Sequence, residues 1–245
     1  MLRIRIRFRD CWAAKVRNRP DGEVLKGGVN VPPFRVYLFD VDGTLVDSAE
    51  DICGAIQGVL ASTPRNDVPD EYLRSYIGRH LNELWRDLFP DCSEERMGAM
   101  LGEYRAGYLA RKHAASRVYP GVKDALEKLR GLKSTATTKS SETTRAVLDL
   151  FGLLPFFDHV QGTDGFPAKP APDVLFKSLE FFGVSPSECL FVGDSPADME
   201  AARRAGIASC AVRYGYGSTA ELDKWAPDYW IDDLGELVLV PDRCE

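Results

Sequence analysis

From Phe34 onward, apolar positions fall into short runs separated by helical patterns. Val36-Tyr37-Leu38-Phe39 has no polar alternation, as expected of a strand covered on both faces. Further compact runs predict strands at Thr135–Thr137, Leu190–Val192, Ala208–Val212 and Tyr229–Ile231. Between them, Gly121–Leu129, Ser141–Phe151, Pro172–Phe182 and Ala197–Ala205 carry helical spacing. Strands alternating with helices of this length predict βα units and an α/β fold with a doubly wound parallel sheet.

One stretch interrupts the rhythm. From Ser48 to Arg117 there is no convincing strand, only helical patterns at Glu50–Leu60, Pro69–Ile77, His80–Leu88 and Glu94–Lys112. Residues 48–117 are therefore expected to form a small inserted α-helical cap over the carboxyl end of the sheet, where such folds bind ligands. Residues 34–47 and 118–245 would form the sheet-bearing core. Residues 2–9, LRIRIRFR, alternate apolar residues with arginine, and breaker residues follow at Pro20, Gly22, Gly27, Gly28, Pro32 and Pro33. Three readings of residues 1–33 stand open: a weakly ordered basic extension, an added edge strand, or an arginine-rich targeting segment without a secretory apolar stretch.

Charge sharpens this division. The formal net charge is -6, yet residues 1–33 carry +5 and the remainder -11. An acidic body is a poor partner for nucleic acid or an anionic membrane. No window approaches 18 uninterrupted apolar residues, so no spanning helix is expected. The six cysteines, Cys11, Cys53, Cys92, Cys189, Cys210 and Cys244, form no CxxC pair and read as reduced thiols of a cytoplasmic protein.

The chemistry lies where apolar runs end. Phe39 leads into Asp40-Val41-Asp42-Gly43, and Val192 leads into Gly193-Asp194-Ser195-Pro196-Ala197-Asp198. An aspartate at such a strand end can serve as a nucleophile and a second as general acid and base. If the two strands are neighbours, Asp40, Asp42 and Asp194 converge. Clustered carboxylates imply a hard cation, and all-oxygen ligation favours Mg²⁺. The alternative for Asp198 is an ordinary acid in a helix's first turn. Thr137-Thr138 offers hydroxyl and backbone N–H groups at a helix start, a cradle for phosphate. Lys169, in the rigid loop Ala168–Asp173, can supply one fixed positive charge.

These motifs together carry a resemblance. DVDGTLVDS (Asp40–Ser48), TTK (Thr137–Lys139), KPAPD (Lys169–Asp173) and GDSPAD (Gly193–Asp198) resemble, in order and spacing, the four motifs of the haloacid dehalogenase-like hydrolase superfamily. YPGV (Tyr119–Val122) resembles that family's return from cap to core. FGLLPFFDHVQGTD (Phe151–Asp164) and VRYGYG (Val212–Gly217) are similar to the phosphoglycolate phosphatase type with a helical cap.

The resemblance implies an aspartyl-phosphate route. Asp40 would attack phosphorus, and Asp42 would protonate the leaving alcohol and then activate water. Thr137 and Lys169 would hold phosphoryl oxygens, with Thr138 beside them. Mg²⁺ would be held by Asp40, the Asp42 carbonyl and Asp194, with Asp198 orienting its water shell. Asp42 disfavours dehalogenating relatives, which lack a second acid. Lys112, the only lysine between Ser48 and Arg117, disfavours Schiff-base chemistry in the cap. Ala49–Leu60 holds no histidine, which favours hydrolysis over a sugar-phosphate mutase reaction.

For the leaving group, the cap offers Ile77-Gly78-Arg79-His80. Arg79 can bind a substrate carboxylate with bidentate geometry, or be an exposed arginine at a helix start. His80 reads as a proton shuttle or as packing, and Trp85 and Phe89 as cap core. The expected partner is a small anionic phosphorylated metabolite, 2-phosphoglycolate first, with a sugar phosphate, pyrophosphate or mutase substrate as alternatives. The non-enzymatic alternative is a metabolite-binding module on the same fold. The chain is expected to act as a monomer or homodimer.

Overall fold

The computed structural model describes residues 31–238, so residues 1–30, with the readings left open for them, lie outside the described residues. In chain order the elements begin with β1 (Val36–Phe39), β2 (Val46–Asp47), α1 (Ala49–Leu60), α2 (Asp70–Arg74), α3 (Leu81–Leu88) and α4 (Glu94–Ala110). There follow β3 (Arg117–Val118), α5 (Val122–Lys128), β4 (Leu132–Thr135), α6 (Ser141–Leu150) and α7 (Asp173–Phe182). The chain continues with β5 (Cys189–Gly193), α8 (Pro196–Ala205), β6 (Ala208–Val212), α9 (Thr219–Leu222) and β7 (Tyr229–Ile231).

The five long strands form one parallel sheet in the order β4-β1-β5-β6-β7. In β1, successive side chains point to opposite faces and both faces are dry. Tyr37 and Phe39 pack with Val122, Leu126, Val147 and Leu148 of α5 and α6. Val36 and Leu38 pack with Val174, Leu175, Ala201 and Ala202 of α7 and α8. Helices on both faces explain why the strand reads as a continuous apolar run.

Two strand expectations need correction. The strand expected at Thr135–Thr137 runs instead over Leu132–Thr135, in register with Val36–Phe39. It was hidden because Lys133, Ser134 and Thr135 are polar. Their polar atoms are satisfied along the sheet edge: Lys133 Nζ donates to the Gly131 carbonyl, Ser134 Oγ meets His159, and Thr135 Oγ1 donates to the Gln161 carbonyl. Ala136 N still donates to the Phe39 carbonyl at 2.7 Å, after which the chain leaves the sheet. The second correction is the antiparallel ribbon of β2 with β3, which pairs Val46 with Val118 and Asp47 with Arg117. Two-residue strands carry no periodic signal.

Between the two strands of this ribbon, α1 to α4 bury their own apolar cluster around Ile56, Leu60, Leu73, Leu84, Trp85 and Met100. Local caps set the helix starts. Ser93 Oγ accepts from Arg96 N at α4, and His80 Nδ1 accepts from Asn82 N at α3, which puts His80 in a helix cap. At the base of the four helices, fully buried Asp51 joins the outgoing and returning chains. It accepts from Arg111 Nε at 3.0 Å, Ala115 N at 3.0 Å and Ser116 Oγ at 2.7 Å. Burial works against the Asp51 carboxylate, but these donors outweigh it and hold its pKa below the ordinary value.

Replacing Asp51 leaves a partly buried N–H and hydroxyl without that acceptor. Asp51→Ala should lower unfolding stability by about 2–3 kcal/mol in urea denaturation. Because the folded-state pKa is depressed, the wild-type advantage should be present at neutral pH and fade as pH falls through the acidic range.

Candidate active site

The carboxyl ends of β1 and β5 lie side by side, since Phe39 is in register with Val192 and Asp40 N donates to the Val192 carbonyl. This register brings Asp40, Asp194 and Asp198 together, with one carboxylate oxygen from each within 4.8 Å of the others, and all three are buried. Lys169 enters from the loop before α7, fully buried, with its Nζ 2.8 Å from Asp40 Oδ1 and 2.6 Å from Asp198 Oδ1. Burial alone would discharge this lysine; the facing Asp198 and Asp40 outweigh it and raise its pKa.

Three carboxylates and one ammonium leave two negative charges in a dry place. The protonation equilibria register the excess. Asp40 is pushed up to about 6, chiefly by burial, with Lys169 pulling down and Asp198 and Asp42 pushing up. Asp194 is raised well above the carboxylate range by burial, then by Asp198 and Asp40. A bound divalent cation would cancel that charge, and the donors are all oxygens of the kind hard cations prefer. Asp40 Oδ1 supports the fit: it is buried and, despite the nearby Lys169, makes no aligned hydrogen bond among the described residues.

Asp198 has little capacity left. Its Oδ1 faces Lys169, and its Oδ2 accepts from Asp194 N, Ser195 N and Ser195 Oγ at 3.2, 2.9 and 2.7 Å. The same contacts make a capping box at the start of α8. Asp194 differs, facing no cation among the described residues. Its Oδ1 accepts from Thr44 Oγ1 at 3.0 Å and its Oδ2 from Tyr216 N at 2.8 Å.

Asp42 stands apart from the three. Its Oδ2 lies 2.8 Å from Lys139 Nζ, and Ser48 Oγ donates to its Oδ1. Thr137 is buried on the loop after β4, with Thr138 half-buried beside it. Glycine makes room around the cluster. Gly43 has φ +86°, and a Cβ there would fall 2.1 Å from Asp194 Oδ2. A Cβ on Gly215 would fall 2.2 Å from Asp194 Cβ.

The helical unit touches this site through the loop after α2. A Cβ on Gly78 (φ +88°) would sit 3.1 Å from Ser195 Cβ, so the Gly78 backbone lies directly against the core motif. Arg79 follows it, exposed, with its guanidinium 5.3 Å from the Tyr76 ring centre. Trp85 is fully buried in the helical cluster and Phe89 packs against it.

Several participants had no individual signal in the chain. Lys139 closes the TTK motif, yet only the fold shows it meeting Asp42. Tyr216 supplies more than its N–H to Asp194. Its hydroxyl accepts from Ser48 N at 2.7 Å and Ala49 N at 3.0 Å, and donates to Asp47 Oδ1 at 3.1 Å. One residue thus joins the Asp194 carboxylate to the start of α1.

The Haloacid dehalogenase-like hydrolase family model matches residues 37–212, which hold all of these carboxylates. The chain belongs to this family of hydrolases. Among its relatives, a protein named phosphoglycolate phosphatase 1 from Pseudomonas aeruginosa is 35% identical over 220 residues, covering 86% of this chain and 80% of the relative. A phosphoglycolate phosphatase from Aquifex aeolicus is 32% identical over 214 residues, covering 86% and 98%. A haloacid dehalogenase-like family hydrolase of known structure from Streptococcus pneumoniae superposes with a TM-score of 0.76 at 26% identity, covering 83% of this chain and 96% of that one.

Two glycines test the packing around Asp194. Gly43→Ala should weaken divalent-cation binding at least about tenfold in a calorimetric titration, because the new methyl group displaces the Asp194 carboxylate. Gly58 of α1 has open space at its Cβ position. Gly58→Ala should leave binding intact and add about 0.5–1 kcal/mol of stability.

Proposed function

We propose that this phosphatase, a phosphoric monoester hydrolase, cleaves 2-phosphoglycolate in a Mg²⁺-dependent reaction through an aspartyl-phosphate on Asp40. The observation that carries the reading is the pairing of two chemically different aspartates. Asp40 is buried beside Lys169, whereas Asp42, two residues on, faces Lys139 and Ser48. A binding module needs no such division between a nucleophile and an acid–base group. The relatives' names support phosphoglycolate as substrate.

In this reading an Asp40 oxygen attacks phosphorus and the bond from phosphorus to the ester oxygen breaks. Asp42 gives its proton to the departing alkoxide, so glycolate leaves as the alcohol. Asp42 then takes a proton from water as its oxygen attacks the aspartyl-phosphate, and inorganic phosphate leaves with Asp40 restored. Thr137, Thr138 and Lys169 hold the phosphoryl oxygens, which spread charge as the bonds change. Lys169 also keeps Asp40 ionised in its buried position. Mg²⁺ would be held by Asp40, the Asp42 carbonyl and Asp194, and would neutralise charge on the phosphoryl group. Asp198 holds Lys169 and the Asp194–Ser195 backbone in place.

Residues 48–117 act as the cap, and residues 34–47 with 118–245 as the catalytic core. Arg79, next to the Gly78 backbone that lies on Ser195, meets the substrate carboxylate from the cap side. The cysteines Cys53, Cys92, Cys189 and Cys210 are free, which supports the cytoplasm as its setting. Among the described residues no helix is long and apolar enough to cross a membrane.

Asp40→Asn should abolish Mg²⁺-dependent release of phosphate from an aryl phosphate; turnover in that variant at more than about a thousandth of wild type removes Asp40 as nucleophile. Saturating Mg²⁺ should also raise the melting temperature over that in EDTA. At a hundred times the dissociation constant the gain is about 2.7 kcal/mol. Asp194→Asn should lose most of that shift.

A further inference from the structure

Beside Asp42 lies a second group of buried polar atoms that the proposed chemistry leaves without a task. Lys139 Nζ, on a side chain 11% exposed, has one carboxylate partner, Asp42 Oδ2, and sits 4.6 Å from the Tyr108 ring centre. Tyr108 comes from α4 and is 4% exposed. It lies close enough for the Lys139 charge to act on its hydroxyl, which makes no aligned hydrogen bond among the described residues. Tyr104 stacks on Tyr108 at 5.8 Å, one helical turn away. His113, held at φ +55°, packs edge-on to Tyr108 at 4.8 Å, and its buried Nδ1 has no partner among the described residues.

Such a group has donors in surplus. An ammonium carries three N–H donors and a phenol one O–H, against the single Asp42 carboxylate that faces them. Buried donors without acceptors are costly, and in native folds they mark a missing partner. That partner must bring acceptor oxygens, and a neighbouring ammonium favours an anion. The flanking rings of Tyr104 and Tyr108 suit a short apolar linker rather than a hydroxylated one.

The position of the group limits how long that linker is. Asp42 must come within about 3 Å of the ester oxygen it protonates. Lys139 Nζ lies 2.8 Å from Asp42 Oδ2. An anion bound by Lys139 therefore sits near the ester oxygen, a spacing that a linker of one or two carbon atoms matches.

We infer that Lys139 and Tyr108 form a leaving-group subsite that binds a carboxylate one or two carbons from the phosphate ester, making the enzyme selective for phosphate esters of short hydroxy acids. This inference rests on the phosphatase reading and deepens it. It places the main determinant of selectivity at the seam between α4 and the loop after β4, with Arg79 contributing from the exposed rim.

The test compares 2-phosphoglycolate with ethyl phosphate, which has the same two carbons and no carboxylate, and with pyrophosphate. Wild type should prefer phosphoglycolate over both in kcat/KM. The ratio of phosphoglycolate to ethyl phosphate should fall about tenfold in Tyr108→Phe and about a hundredfold in Lys139→Gln, mainly through KM for phosphoglycolate. In Arg79→Ala it should fall less than in Lys139→Gln. An unchanged ratio in Tyr108→Phe and Lys139→Gln overturns the subsite, as does collapse of the ratio in Arg79→Ala alone. Faster turnover of pyrophosphate than phosphoglycolate also overturns it, because the bound anion is then a phosphate. A wild-type enzyme that hydrolyses none of these, nor an aryl phosphate, overturns the phosphatase reading itself.

Discussion

The structure depends on how much negative charge is buried at the carboxyl ends of β1 and β5. Asp40, Asp194 and Asp198 meet there with Lys169 as the buried ammonium among them. Such a cluster is unstable in a dry interior unless each oxygen has a partner. The surroundings are arranged accordingly. Ser195 and two backbone N–H groups satisfy Asp198, while Thr44 and the Tyr216 N–H hold Asp194. Glycine at 43 and 215 leaves room for the Asp194 carboxylate. What remains is a local charge deficit that a divalent cation matches, and phosphoryl transfer asks for the same preorganised charge.

The second constraint is the junction between the sheet and the inserted helices. Only two short strands carry the chain out and back, and their ladder is two residue pairs long. Side chains reinforce it at three places. Asp51 joins the start of α1 to the returning chain. Arg117 pairs with Asp47 across the ribbon at 2.8 Å. Tyr216 binds the start of α1 with its hydroxyl and Asp194 with its backbone N–H. The last contact joins the helical unit to the carboxylate cluster.

How well the chain could be read depended on how local each signal is. Four of the five sheet strands stand out as apolar runs because helices cover both faces of the sheet. The strand at Leu132–Thr135 does not, because Lys133, Ser134 and Thr135 are polar and the Ser134 and Thr135 hydroxyls meet His159 and Gln161, some 25 residues on. Asp40 and Asp194 were visible because each follows an apolar run at a strand end. Lys139, Tyr108 and Tyr216 were not visible as participants, since each acts across a separation of dozens of residues. Nothing in TTK tells which carboxylate the lysine will meet.

The sequence alone therefore determined the α/β architecture and placed Asp40 and Asp194 at the ends of apolar strands, but it set Asp42 rather than Asp198 in the cluster. These follow from periodicity and from strand ends, which are properties of contiguous residues. Only the tertiary structure decided that β1 and β5 are neighbours, which turns three separate aspartates into one charged cluster. It likewise decided that Asp198 is spent on Lys169 and the Asp194–Ser195 backbone, and that Asp42 faces away toward Lys139 and the helices. Coulomb interactions and hydrogen bonds fall off over a few ångströms, and distance along a chain does not fix distance in space. The chain names the charges, and the register of the sheet sets which of them interact.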